Sequence, residues 1–160
     1  MYNLIKLNNS VFKMKYSILL ILISLINSVG YGQDISVKEK VDKLNGNAMK
    51  FLLKPDSLII YANQAYELAK TGNYKHGEGI GAKLKGIYEH RKSNFHSAII
   101  YYKESLSIFT DLNVPIEIGK ANLNIATSYN SLYDYVNSIL YALKSLKIFE
   151  QLKDYNGKGR

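Results

Sequence analysis

The chain has 160 residues, 47% apolar and 21% charged, with no Cys and no Trp. That length suits one hydrophobic core or a short array of repeats and excludes a two-domain enzyme; the apolar share excludes a disordered chain, and zero Cys excludes disulfides, thiolate zinc sites and cysteine nucleophiles. The formal net charge is +8, but residues 1–32 hold Lys6, Lys13 and Lys15 and no acid, so the other 128 residues carry 18 basic and 13 acidic side chains. Those cations are scattered, with no run longer than two, whereas a nucleic-acid surface needs clustered Lys and Arg interleaved with stacking groups. No nucleic-acid partner is expected.

At the N-terminus, Met14-Lys15 precedes the apolar run Tyr16–Ile26, and small residues follow at Gly30 and Gly32. A basic start, an apolar stretch of about ten residues and a small-residue cleavage site predict a secretory signal peptide over 1–32, cut between Gly32 and Gln33. Met14 is an alternative start. A spanning helix needs about twenty apolar residues and this run ends near Val29, so membrane insertion after cleavage is not expected. The mature chain is expected to be exported, to the periplasm or cell envelope, and to be membrane-anchored if the signal stays uncleaved.

Residues 56–153 repeat with a period of 40. Ile59, Ile99 and Ile139 form one column, and Tyr61, Tyr101 and Tyr141 another. Ala65, Ser105 and Ser145 align as small residues, Leu68, Ile108 and Ile148 as aliphatics, and Gly79, Gly119 and Gly159 keep the same phase. A fixed period in this range predicts a stacked array in which no unit buries its apolar face alone. Each unit reads as two helices. Pro55-Asp56-Ser57 starts one, with Asp56 or Ser57 placed to cap it. Over 94–109, Phe95, Ala98, Tyr102, Ser105 and Phe109 share a stripe that Leu106 broadens. Pro115 opens the next helix with Glu117 in its first turn, and Asp134 through Leu152 repeats the apolar pattern. Strand signals are absent. The expected fold class is all-α.

The columns resemble tetratricopeptide repeats (TPRs) in a 40-residue variant, over residues 36–153. Ala126 with Tyr129, and less well Gly86 with Tyr88, match the family's small residue and aromatic on the first helix. Tyr135 with Ser138 and Phe95 with Ala98 match its turn. Ser105-Leu106 and Ser145-Leu146 match its second helix. The first unit departs most, with Pro55 at the aromatic position and Leu58 at the small one. The resemblance implies antiparallel helix pairs, about three over 33–153, stacked as a right-handed superhelix. It also implies a groove lined by the first helix of each pair, with small residues letting helices approach and Tyr and Phe filling gaps between units. Groove positions not needed for packing are Lys83, Ile87, His90 and Arg91 in the second unit, and Lys120, Leu123, Thr127 and Asn130 in the third. Their mixed polarity suits an extended peptide or protein segment bearing a carboxylate. Some family members clamp a terminal carboxylate with Lys and Asn; Ile87 and Leu123 stand where such groups are wanted, so that clamp is not expected.

Little else suggests chemistry. His90 and His96 lie six residues apart across a turn, not at the four-residue spacing of a metal pair on one helix. The stretch Gly77-Glu78-Gly79-Ile80-Gly81 lacks the preceding strand of a phosphate or dinucleotide loop, so close helix packing is the expected reason for its glycines. No catalytic, cofactor or metal residue is expected, and the chain is read as a non-enzyme. Residues 154–160 read as the start of an incomplete further repeat, leaving Ile139, Leu143 and Ile148 partly uncovered; this end is a candidate for self-association. Two functions follow: an exported peptide-binding scaffold, or the truncated sensory region of a membrane histidine kinase or helix-turn-helix regulator, output modules that the resemblance associates with such arrays.

Overall fold

The computed structural model describes residues 37–157, with side chains through Lys153; the expected signal peptide and residues 158–160 lie outside the described residues. Every described element is helical. Helix α1 covers 37–50, α2 Pro55–Thr71, α3 Lys75–Arg91, α4 Phe95–Asp111, α5 Pro115–Ser131 and α6 Tyr135–Gly157. Helices α2 to α5 are each 17 residues long and are joined by three-residue turns. The 40-residue period is therefore two helix-plus-turn steps.

The turns share one construction. Asn73, Ser93, Asn113 and Tyr133 adopt φ of 54°, 62°, 51° and 60°, reversing the chain in the left-handed region. The next amide then reaches back across the helix end: Tyr74 N–H donates to the Ala69 carbonyl at 2.8 Å, Asn94 to Glu89 at 2.9 Å, Val114 to Phe109 at 3.0 Å and Asp134 to Tyr129 at 3.0 Å. These bonds satisfy carbonyls that the helix leaves unpaired. The expected cap at Asp56 or Ser57 does not form: α2 has no side-chain cap, and Pro55 occupies the first turn with Asp56 beside it. Proline leaves one fewer amide to satisfy, and Asp56 favours the positive helix end without bonding it. A side-chain cap does form at Asp134, whose carboxylate accepts from Asn137 N–H at 3.1 Å.

The expected boundary at 153/154 is absent from the backbone, where α6 continues to Gly157. Twenty residues beyond Tyr133 stands Lys153, a good helix former that gains nothing from a left-handed turn, so continuing the helix is the cheaper path.

Packing passes between consecutive helices from α2 to α6. One cluster joins Ala48, Leu58, Ala62 and Leu84; a second joins Ala98, Ile99, Tyr102 and Ile125; Ile87 packs against both. The column of small residues is buried throughout, at Ala65, Ser105 and Ser145, and Ser145 Oγ donates to the Gly119 carbonyl at 2.9 Å. Glycines set the helix spacing. A Cβ on Gly79 would lie 2.9 Å from the Phe109 ring, one on Gly119 2.8 Å from Phe149, and one on Gly86 2.5 Å from Tyr102. Ring-on-glycine contacts thus join α3 to α4 and α5 to α6, within pairs rather than between them as expected. Gly81 meets the backbone of Tyr66 on the preceding pair.

Candidate functional site

Helices α3 and α5, the first helices of successive pairs, lie on either side of a pocket of about 390 Å³ lined by Ile87, His90, Arg91, Tyr102, Asn124 and Thr127. Four of these were expected as groove residues: Ile87, His90, Arg91 and Thr127. Helical spacing places Ile87, His90 and Arg91 on one face of the last turn of α3, and Asn124 and Thr127 on one face of α5. Tyr102 enters from α4, because the missing side chain at Gly86 lets its ring lie against α3.

The pocket has an apolar base and a polar rim. Ile87 is half-buried between the two core clusters, and Tyr102 is buried. Burial raises the Tyr102 hydroxyl well above its ordinary range, opposed only in part by Arg91, so it stays protonated. Arg91 and Thr127 are exposed. Thr127 Oγ1 donates to the Leu123 carbonyl at 3.0 Å.

His90 is fixed in one orientation. Its Nδ1 lies 3.0 Å from Ser128 Oγ, and Ser128 donates its own proton to the Asn124 carbonyl at 3.0 Å. With that proton committed, Nδ1–H of the neutral ring is the donor and Nε2 is left as an acceptor. The ring also meets Phe95 edge-on at 5.1 Å. Burial lowers the His90 pKa below 6.5, and Arg91 lowers it further. The unfolded chain therefore binds a proton here more readily than the folded one. The stability held by neutral His90 is complete above pH 6.5 and declines as the pH falls from 6.5 through the folded-state value. Urea unfolding at pH 7.5 and 5.5 is expected to show this loss, and His90→Gln to flatten it; an unchanged slope in the variant would place the dependence elsewhere.

The remaining candidates behave differently. Lys83 does not present a free ammonium to a ligand. It is buried, and its Nζ lies 2.5 Å from Glu117 Oε2 across the α3–α5 interface. Groove geometry alone points this position outward, whereas the partner that draws it inward lies 34 residues away. Lys120 is half-exposed and also pairs with Glu117, at 2.8 Å. Burial would raise the Glu117 carboxyl, but hydrogen bonds from Lys120 and Lys83 outweigh it and hold the group below the usual carboxylate range. Leu123 and Asn130 are exposed and line no part of the pocket.

Sequence reasoning missed Tyr102 and Asn124 as pocket residues. Asn124 follows Lys120 by four residues and precedes Thr127 by three, so its place on the same face was readable. The helical stripe places Tyr102 in the core, where it lies, and only the fold shows it also lining the pocket.

Among the described residues, no three His, Cys, Asp or Glu side chains converge as a metal site requires, and no helix is long and apolar enough to cross a membrane. The Gly77–Gly81 stretch lies inside α3 with its glycines buried against Val41, Phe109 and Tyr66. It is a packing surface.

No protein-family model matches the sequence, and no curated protein matches it. Among solved structures, the chain is similar to the TPR domain of Arabidopsis FLU, with a TM-score of 0.67 and 21% identity over 72% of this chain and 98% of that one. At that identity the likeness concerns the backbone. The chain has the fold of an all-α, TPR-like helical repeat protein.

Proposed function

We propose that this chain is an exported interaction scaffold that binds an extended segment of a protein or peptide between α3 and α5. The observation that carries the reading is the pocket itself: an apolar floor of Ile87 and Tyr102 beside the exposed guanidinium of Arg91, with Asn124 and Thr127 opposite. Such a site suits one apolar side chain of an extended ligand with a carboxylate next to it, since Arg pairs with carboxylate through two parallel hydrogen bonds. The TPR-like fold adds the general expectation of a protein partner. Export rests on residues 1–32; the mature chain then begins at Gln33, which N-terminal sequencing reads.

The test uses two fluorescein-labelled octapeptide pools with a fixed central Leu-Glu or Leu-Lys pair and degenerate flanks. The Leu-Glu pool is expected to bind at least fivefold more tightly by fluorescence anisotropy, and Arg91→Glu to abolish the preference with helicity unchanged. Equal affinity for the two pools, or a preference that survives Arg91→Glu, contradicts the proposal.

A further inference from the structure

Helix α6 carries an apolar stripe that its counterparts lack. Val136 is 80% exposed, Ile139 60%, Leu143 59% and Leu146 52%. Ile139 and Leu146 are the counterparts, one period on, of Ile99 and Leu106, which pack in the second core cluster with α5. A further helix stacked in the same manner would cover them. Val136 and Leu143 are different. Their counterparts are Asp56 and His96, and Asn63 and Lys103, all polar and all exposed where the array does continue. Stacking another pair would therefore leave Val136 and Leu143 in water. These two residues would be covered only by a partner that lies along the outer face of α6.

We propose that the partner is α6 of a second copy of this chain, paired antiparallel about the level of Tyr141, midway along the stripe. With Val136, Ile139, Leu140, Leu143 and Leu146 each roughly half-exposed or more, the stripe presents on the order of 500 Å² per copy, so a symmetric pair hides about 1,000 Å², the threshold for a specific interface. A two-fold axis midway between Ile139 and Leu143 sets Val136 against Leu146 and Ile139 against Leu143 of the other copy, as an isologous contact requires. Charge selects the antiparallel sense. Asp134 stands at the N-terminal end of α6, while Lys144, Lys147 and Lys153 outnumber Glu150 and Asp154 from its middle to its C-terminal end. Antiparallel helices bring Asp134 to the lysine-rich end of the partner; parallel helices set lysine on lysine. Head-to-tail stacking onto α1 offers no equivalent, because the exposed residues of α1 include Lys38, Glu39, Lys40, Asp42 and Lys43.

Sedimentation equilibrium of the whole chain at tens of micromolar is expected to give twice the monomer mass, and Val136→Asp with Leu143→Asp to give the monomer with unchanged helicity. The chain has no Cys, so introduced thiols report the geometry cleanly. On mild oxidation Ile139→Cys is expected to cross-link to Leu143→Cys on the other copy, and Val136→Cys to Leu146→Cys, with neither Val136→Cys nor Leu146→Cys linking to itself. A monomeric chain overturns the proposal. So does a monomer in which the thiol introduced by Leu143→Cys resists alkylation, which would mean another segment of the same chain covers the stripe. Self-linking by both Val136→Cys and Leu146→Cys would mean parallel pairing and overturns the antiparallel assignment.

Discussion

Truncating Phe109 to alanine is expected to destabilise the array by about 3–5 kcal/mol, the largest effect of any single apolar truncation. The side chain is fully buried, and its ring lies against the backbone of Gly79, where a Cβ would come within 2.9 Å. His76 meets the ring edge-on at 5.5 Å. The loss combines the transfer energy of a whole aromatic ring with a cavity that α3 cannot collapse to fill, because Gly79 has no side chain to move into it. In a stacked array each pair is stabilised by its neighbours, so loosening α4 from α3 also weakens the coupling between the first and last pairs. Urea unfolding followed by far-UV circular dichroism is expected to show both a lower midpoint and a broadened transition. A loss below about 1 kcal/mol would mean that the ring-on-glycine contact does not hold the pair together.

The second large effect concerns the ion pair between α3 and α5. Glu117→Gln leaves the buried Lys83 ammonium without a countercharge, and breaking a buried pair in this way costs about 3 kcal/mol. Lys83→Met is expected to cost less, about 1–2 kcal/mol, because Glu117 keeps Lys120 as its partner at 2.8 Å. Replacing both with Met is expected to return stability to within about 1 kcal/mol of the native chain. The order Glu117→Gln, then Lys83→Met, then the double variant is the signature of one carboxylate shared by two lysines; denaturant melts of the three variants decide it. A Lys83→Met change costlier than Glu117→Gln would contradict the shared arrangement. The carboxyl is held below its usual range, so its contribution is present above the unfolded-state value of 4.5 and is lost as the pH falls through the folded-state value.

What was legible in the sequence followed from local rules. The helices, their pairing and the small-residue column at Ala65, Ser105 and Ser145 come from periodicity, since a buried position in one unit is buried in the next. Four of the six pocket residues came the same way, from one face of α3 and one of α5. What escaped depended on separations that no periodicity encodes. The inward turn of Lys83 depends on Glu117, and the pocket edge of Tyr102 depends on the absence of a side chain at Gly86. The cap expected near Asp56 failed because proline already relieved the helix end. The longer α6 escaped because the repeat promised a turn there, whereas Lys153 supplies no reason for one. No sequence rule reads the difference between Lys103 and Leu143 as functional; it shows only once exposure is known.

The central claim, that ligand binding is confined to the α3–α5 pocket, is tested most directly by amide chemical-shift mapping of the whole chain titrated with the Leu-Glu peptide pool. Saturable shifts are expected at Ile87, Arg91, Asn124 and Thr127, with α2 and the outer face of α6 unmoved. Shifts centred on α2, α4 or α6, or none at millimolar peptide, would contradict it.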